Sequence, residues 1–287
     1  MTKNNQLVKT ISIFIPTIWL SLFVLIPIST VFVFSFLHQN QEHLFSLPLT
    51  FSNYLHLIDE NYLSIMLRSL IMSGSCTLLC LLIAYPFAFI IARSNSAYKN
   101  LYLLFVIIPC WTSSLIRTYA IMTLLKSKGI VNALLIWLHV IQKPLPFIFN
   151  NGAVLLGLVY TLLPFMILPL YVNIEKLDKN LIDAARDLGA SRTTIFLRVI
   201  LPITLPGIIS GAILVFLPAM TLFYIPNILG GAKGMLLGNL IESKFQVANN
   251  WPQGSAISIL LTLLTLLFLF IYRITSANED TQSLKVK

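Results

Sequence analysis

Residues 175–207 read EKLDKNLIDAARDLGASRTTIFLRVILPITLPG, a charged stretch that turns apolar and lies between two long apolar blocks. Asp178 stands where its carboxylate can accept a backbone N–H at the start of a helix running to about Leu188. Gly189 follows as the residue free to take the left-handed conformation that stops that helix. Ser191 can cap a second helix, which Pro202 is expected to end near the membrane. The stretch therefore reads as helix, turn, helix at a membrane surface. Its five cations (Lys176, Lys179, Arg186, Arg192, Arg198) nearly balance four acids (Glu175, Asp178, Asp183, Asp187), unlike the basic face of a lipid-binding helix. A surface that docks another protein fits better.

Outward from this segment the chain is apolar. Of 287 residues 57% are hydrophobic and 10% charged, with mean hydropathy +0.87. That composition excludes a soluble globular domain and a disordered chain alike. The apolar residues fall into six blocks, at about 10–37, 69–92, 101–125, 150–174, 203–225 and 255–272, with 175–201 as the segment between the fourth and fifth. Each block is long enough for a helix to cross about 30 Å of hydrocarbon, which takes roughly 20 residues. The runs are continuous rather than alternating, which argues against a β-barrel. The expected class is an all-α integral membrane protein of six transmembrane helices in one domain, 1–287.

Charge sets the orientation. The net charge of +9 on a soluble chain would suggest nucleic acid, but around membrane spans it marks the cytoplasmic loops, and no nucleic-acid partner is expected. With both termini inside, twelve Lys and Arg face the cytoplasm and seven face out. The first block could be read as a secretory signal, but its apolar run exceeds the usual length and no small-x-small site follows it. Pro86, Pro109, Pro164, Pro169 and Pro218 lie in or near spans, where each removes a backbone donor and favours a kink. Together they favour a moving or channel-lining bundle. The stretch Ile130 to Ile141 is too short to span and is expected to lie at the outer interface or re-enter.

Catalysis is not expected. No His, Asp or Glu lies within any of the six blocks, so a nucleophile with its base, an acid pair or a metal site at bilayer depth has no residues to draw on. Cys76 and Cys80 share a helix face with no other ligand-forming residue in their span, and read as small packing residues. Lys233 in LGGAKGM lacks the GK[ST] ending of a phosphate-binding loop. Any ATP hydrolysis that powers transport belongs to another chain.

The 175–207 segment strongly resembles the EAA motif of ABC importer permeases, whose helix docks into the ATPase subunit. The matching positions are Asp183, Ala184 and Ala185, then Gly189, then Val199, Ile200, Leu201 and Pro202, with Asp183 in place of Glu and Val199 in place of Ile. The small Ala184, Ala185 and Gly189 let a helix and its turn sit close in a cleft of another protein. The likeness extends through IIPCWTSSLIRTYA, LLKSKGIVNALL, LVYTLLPFMILPLY, LGGAKGMLLGNLIESKF and NWPQGSA to the first permease subunit of spermidine/putrescine importers. Putrescine, iron, thiamine and sulfate permeases share the architecture. A secondary transporter or channel subunit is the other class, but it lacks intramembrane acids for ion coupling.

The resemblance implies a type I ABC importer permease fold in the bacterial inner membrane. It also implies a second permease subunit, two copies of an ABC ATPase that bind ATP and Mg²⁺, and an external polyamine-binding protein. Asp183, Ala184, Ala185 and Gly189 would then couple the ATPase to this chain, which itself needs no cofactor or metal. The sequence does not itself encode polyamine selectivity, because a cation should seek carboxylates or aromatic faces and no acid lies in a span. Trp111, about 15 Å along the third span, and Tyr160, one turn outward of Pro164, are the expected pathway residues, with Tyr119 and Tyr224 nearer the outer mouth. Arg117 is expected near the outer boundary, where it can snorkel or pair with an acid.

Overall fold

The computed structural model describes residues 3–39, 49–231 and 234–284. Part of the expected outer loop after the first span, with His43, lies outside the described residues, as do Lys233 and both chain ends. In chain order the helices are α1 (Lys3–Phe34), α2 (Ser52–His56), α3 (Glu60–Arg93), α4 (Ser96–Trp111), α5 (Ser114–Leu125), α6 (Ile130–Trp137), α7 (Asn151–Glu175), α8 (Lys179–Asp187), α9 (Arg192–Ile195), α10 (Leu201–Thr221), α11 (Leu237–Glu242) and α12 (Trp251–Leu284). Wider π turns stand at Phe196–Ile200, Pro226–Gly230 and Ser243–Val247. Among the described residues, six helical stretches are long and apolar enough to cross a membrane: Ser12–Phe34, Glu60–Arg93, Ser114–Trp137, Asn151–Glu175, Arg192–Thr221 and Trp251–Phe270. The residues form two compact units, Met1–Leu63 with Leu240–Leu267, and Ser64–Asn239 with Phe268–Lys287.

In the first unit, α1 ends at Phe34 rather than near Leu37, because the carbonyls of Ser35 and Leu37 are taken by the Asn53 side chain. Tyr54 adds a hydrogen bond from its hydroxyl to Ser35 Oγ at 2.7 Å. Along α1 the apolar side chains from Ile13 to Val33 are exposed on all sides, the pattern of a helix whose solvent is hydrocarbon.

The core of the second unit is built on α7. Val154, Leu158, Leu162, Met166, Leu170 and Ile174 recur at every fourth position with burial nearly complete, and so make one continuous ridge. Against it α3 presents Cys76, Cys80, Ala84 and Ala88, every fourth residue and all fully buried. Small side chains at this spacing let two backbones approach in a bilayer, where dispersion rather than water exclusion drives helix pairing. The two cysteines are free thiols within this packing stripe. On the other flank, α10 brings Gly211 against Met166, where an added Cβ would stand 2.7 Å from the sulfur. A hydrogen bond of 3.0 Å between the hydroxyls of Tyr85 and Thr204 ties α3 to α10.

Two expectations about element ends are corrected. The third apolar block, 101–125, is not one helix: Thr112 and Ser113 are extended, with ψ of 150° and 126°, and they separate α4 from α5. Thr112 turns its hydroxyl back onto the Pro109 carbonyl at 2.9 Å, the local competition by which hydroxyl residues interrupt helices. Pro202 does not end the second surface helix either. The chain passes from α9 through a π turn directly into α10, with Leu201 N–H donating to the Phe196 carbonyl five residues back. That widened turn accommodates a proline at the start of α10 without the ring clashing against a carbonyl four residues earlier. Within the stretch Ile130 to Ile141 only Ile130–Trp137 is helical, as the short α6, anchored by buried Asn132, whose side chain bonds the backbone of Lys126 and of Leu145.

Candidate functional site

The surface helix–turn–helix takes its shape from local bonds. Asp178 Oδ1 accepts from Asn180 N–H at 3.0 Å, and Ser191 Oγ accepts from Thr194 N–H at 3.2 Å, so each helix starts on the cap expected of it. Between them Ala190 N–H donates to the Ala185 carbonyl at 3.0 Å and Gly189 N–H to the Arg186 carbonyl at 2.8 Å. This bond pair is the Schellman closure, which requires a left-handed residue at the turn, and Gly189 supplies it with φ of +80°. Leu177, Ile195 and Ile200 are buried beneath, with Ile182, Ala185 and Ala190 packed on them and Phe89 of α3 joining from below.

The segment thus has one seated face and one open face. Ala185 looks inward to the small core, while Ala184, Leu181 and Leu188 are exposed, Leu188 by 88%. Leu181, Ala184 and Leu188 thus form an apolar, helically spaced face that no described residue covers. Asp183 is exposed and pairs with Arg186 one turn on, at 2.9 Å. Among the described residues, nothing beyond its chain neighbours comes within 4 Å of the position a Cβ on Gly189 would take.

The four expected pathway aromatics are not gathered into one site. Trp111 ends α4 beside the extended Thr112 and Ser113 and is 77% exposed. Tyr160 lines a cavity of about 480 Å³ with Tyr102, Phe105, Pro109 and Pro164, walled by α3, α4 and α7. Tyr119 is exposed on α5. Tyr224 packs edge-on to Phe223 at 6.0 Å. Among the described residues Arg117 pairs with no acid; its guanidinium lies over the Tyr160 ring at 5.8 Å, with Nε and Nη1 buried and without hydrogen-bond partners there.

Sequence reading missed a second grouping at the other end of α7. Lys99, in the first turn of α4, sets its Nζ 2.6 Å from Glu175 Oε1 and 5.7 Å from the centre of the Tyr171 ring. The Tyr171–Glu175 spacing of four is visible in the sequence, whereas its pairing with a lysine 76 positions away is not.

Residues 84–278 match the family of binding-protein-dependent transport system inner membrane components. The chain belongs to this family. The permease is 49% identical over 94% of its length to the spermidine/putrescine transport system permease protein PotB of Haemophilus influenzae, covering 94% of that protein. It is 46% identical over 88% of its length to the protein of the same name from Escherichia coli strain K12, covering 92% of it. Its fold matches a bacterial ABC transporter involved in import of the acidic polysaccharide alginate, with TM-score 0.75, 19% identity and 96% of both chains covered. The permease is accordingly a multi-pass component of the inner membrane with the fold of an ABC importer subunit.

Proposed function

We propose that this permease carries spermidine and putrescine inward as one half of an ATP-driven importer. A second permease subunit completes the pathway, two copies of an ABC ATPase bind ATP and Mg²⁺, and an external polyamine-binding protein delivers the substrate. Both chain termini and the 175–201 segment lie in the cytoplasm, where the balance of Lys and Arg favours them. The observation that carries the reading is the helix–turn–helix with its Gly189 turn, seated on α3 by one face and open on the other. The identity to the spermidine/putrescine permeases supports the substrate.

In this reading Asp183, Ala184, Ala185 and Gly189 present the open face of α8 to a cleft in the ATPase. Closure of the ATPase dimer pushes on a unit that shares a buried core with Phe89, so the push reaches α3 and, through the continuous π turn, α10. Trp111 and Tyr160 offer ring faces to the cation along the path, with Tyr119 and Tyr224 toward the outer mouth. The backbone break at Thr112 and Ser113 supports that placement, because non-helical backbone at membrane depth is tolerated where it meets protein or lines a water-filled cavity. The test is purification of the permease with its neighbours. A partner permease and an ATPase should copurify, and hydrolysis should rise when the loaded binding protein is added; a monomer whose addition leaves hydrolysis unchanged would refute the reading.

A further inference from the structure

Glu175 is the last residue of α7 and the root of the surface segment. Lys99 Nζ stands 2.6 Å from its Oε1, and the Tyr171 ring, one turn earlier on α7, has its centre 5.7 Å from the same Nζ. Tyr171 is 8% exposed and forms a fixed wall, while the side chains of Lys99 and Glu175 keep 21% and 41% of their surface open. A carboxylate oxygen at hydrogen-bond distance beside an aromatic face is how a protein holds a primary ammonium. The present occupant is informative, because a lysine side chain is four methylenes ending in a primary ammonium. That unit is the aminobutyl end of putrescine and spermidine.

We propose that Glu175 and Tyr171 form a binding site for a primary alkylammonium, filled at rest by Lys99 and open to the aminobutyl end of a polyamine on the ATPase side. The incoming amine displaces Lys99 and stands with its own chain between α4 and the root of the helix–turn–helix, so product that has accumulated inside slows further import. The identity of the ligand rests on the polyamine reading above. The ion pair is partly exposed and screened, and its lysine is tethered, so the site answers to amine at millimolar rather than micromolar concentration.

The experiment uses the complete complex in vesicles with the ATPases facing the bath and loaded binding protein inside. Substrate-stimulated hydrolysis is followed as putrescine, n-butylamine or tetramethylammonium is added to the bath at constant ionic strength, each variant being normalised to its own rate without amine. Putrescine and n-butylamine should inhibit, and tetramethylammonium, which has no N–H to give Glu175, should not. Lys99→Met removes the competitor and should lower the half-inhibiting putrescine concentration about tenfold; Glu175→Gln removes the acceptor and should raise it about tenfold or more. A link that is only an ion pair is broken alike by both substitutions, so shifts in the same direction would overturn the site. Inhibition by tetramethylammonium equal to that by n-butylamine would overturn it too. Should the transported substrate prove not to be a polyamine, uptake of putrescine fails while the opposed shifts persist with n-butylamine, which separates the two failures.

Discussion

Gly189→Val isolates the turn of the helix–turn–helix from everything beneath it. At φ of +80° an L-residue with a Cβ costs about 1–2 kcal/mol, and a β-branched one lies at or above the top of that range. Among the described residues, no atom beyond its chain neighbours lies within 4 Å of the new Cβ, so the whole cost is backbone strain with no internal clash. A cost of that size shifts the closed turn against an opened one by a factor of about 5–30. Opening gives up the Ala190-to-Ala185 and Gly189-to-Arg186 hydrogen bonds and frays the end of α8. Because α8 contributes no buried residue, the spans should insert and pack as before. The added side chain would also stand on the open face, in the space proposed for the ATPase. Copurified ATPase per permease and hydrolysis stimulated by loaded binding protein are the readouts. Gly189→Val should lose most of both, whereas Gly189→Asn, which tolerates the left-handed region, should keep most of both. Wild-type retention and stimulation in Gly189→Val would refute the proposal that this turn couples the two subunits.

Asp183→Ala should give a milder loss of copurified ATPase than Gly189→Val, since it removes an exposed pairing with Arg186 worth at most about 1 kcal/mol and leaves the backbone alone; a loss larger than that of Gly189→Val would contradict this ranking. Trp111→Ala should slow uptake about 30-fold at limiting substrate, from about 2 kcal/mol lost by a desolvated cation, with assembly and binding-protein affinity retained; uptake equal to wild type would make the ring a packing or lipid-facing residue. In intact cells an impermeant thiol reagent should label Asn250→Cys and spare Asn95→Cys, and the reverse pattern would invert the orientation.

The helices were legible in the sequence because hydrocarbon imposes one rule, about 20 apolar residues per crossing, and the Asp178 and Ser191 caps and the Gly189 stop are local chemistry that a short window contains. Local rules failed where the outcome depended on a neighbour. Pro202 read as a stop, yet a π turn carries the chain past it. The break after Trp111 lay hidden within an apolar run whose Thr112 and Ser113 gave only a weak signal. Arg117 lies over Tyr160, a partner 43 positions away in sequence that only packing brings within 5.8 Å and that the sequence did not suggest. The pathway residues were the least legible, because an aromatic ring within an apolar span looks the same whether it faces lipid, a partner helix or a substrate.

The most direct test of the account is accumulation of labelled spermidine by vesicles that hold this permease, its partner permease, the ATPase and the binding protein. Accumulation against a gradient that requires ATP, the loaded binding protein and this chain together is the predicted result. Accumulation that proceeds without the ATPase, or none from the complete complex while its binding protein holds spermidine, would contradict it.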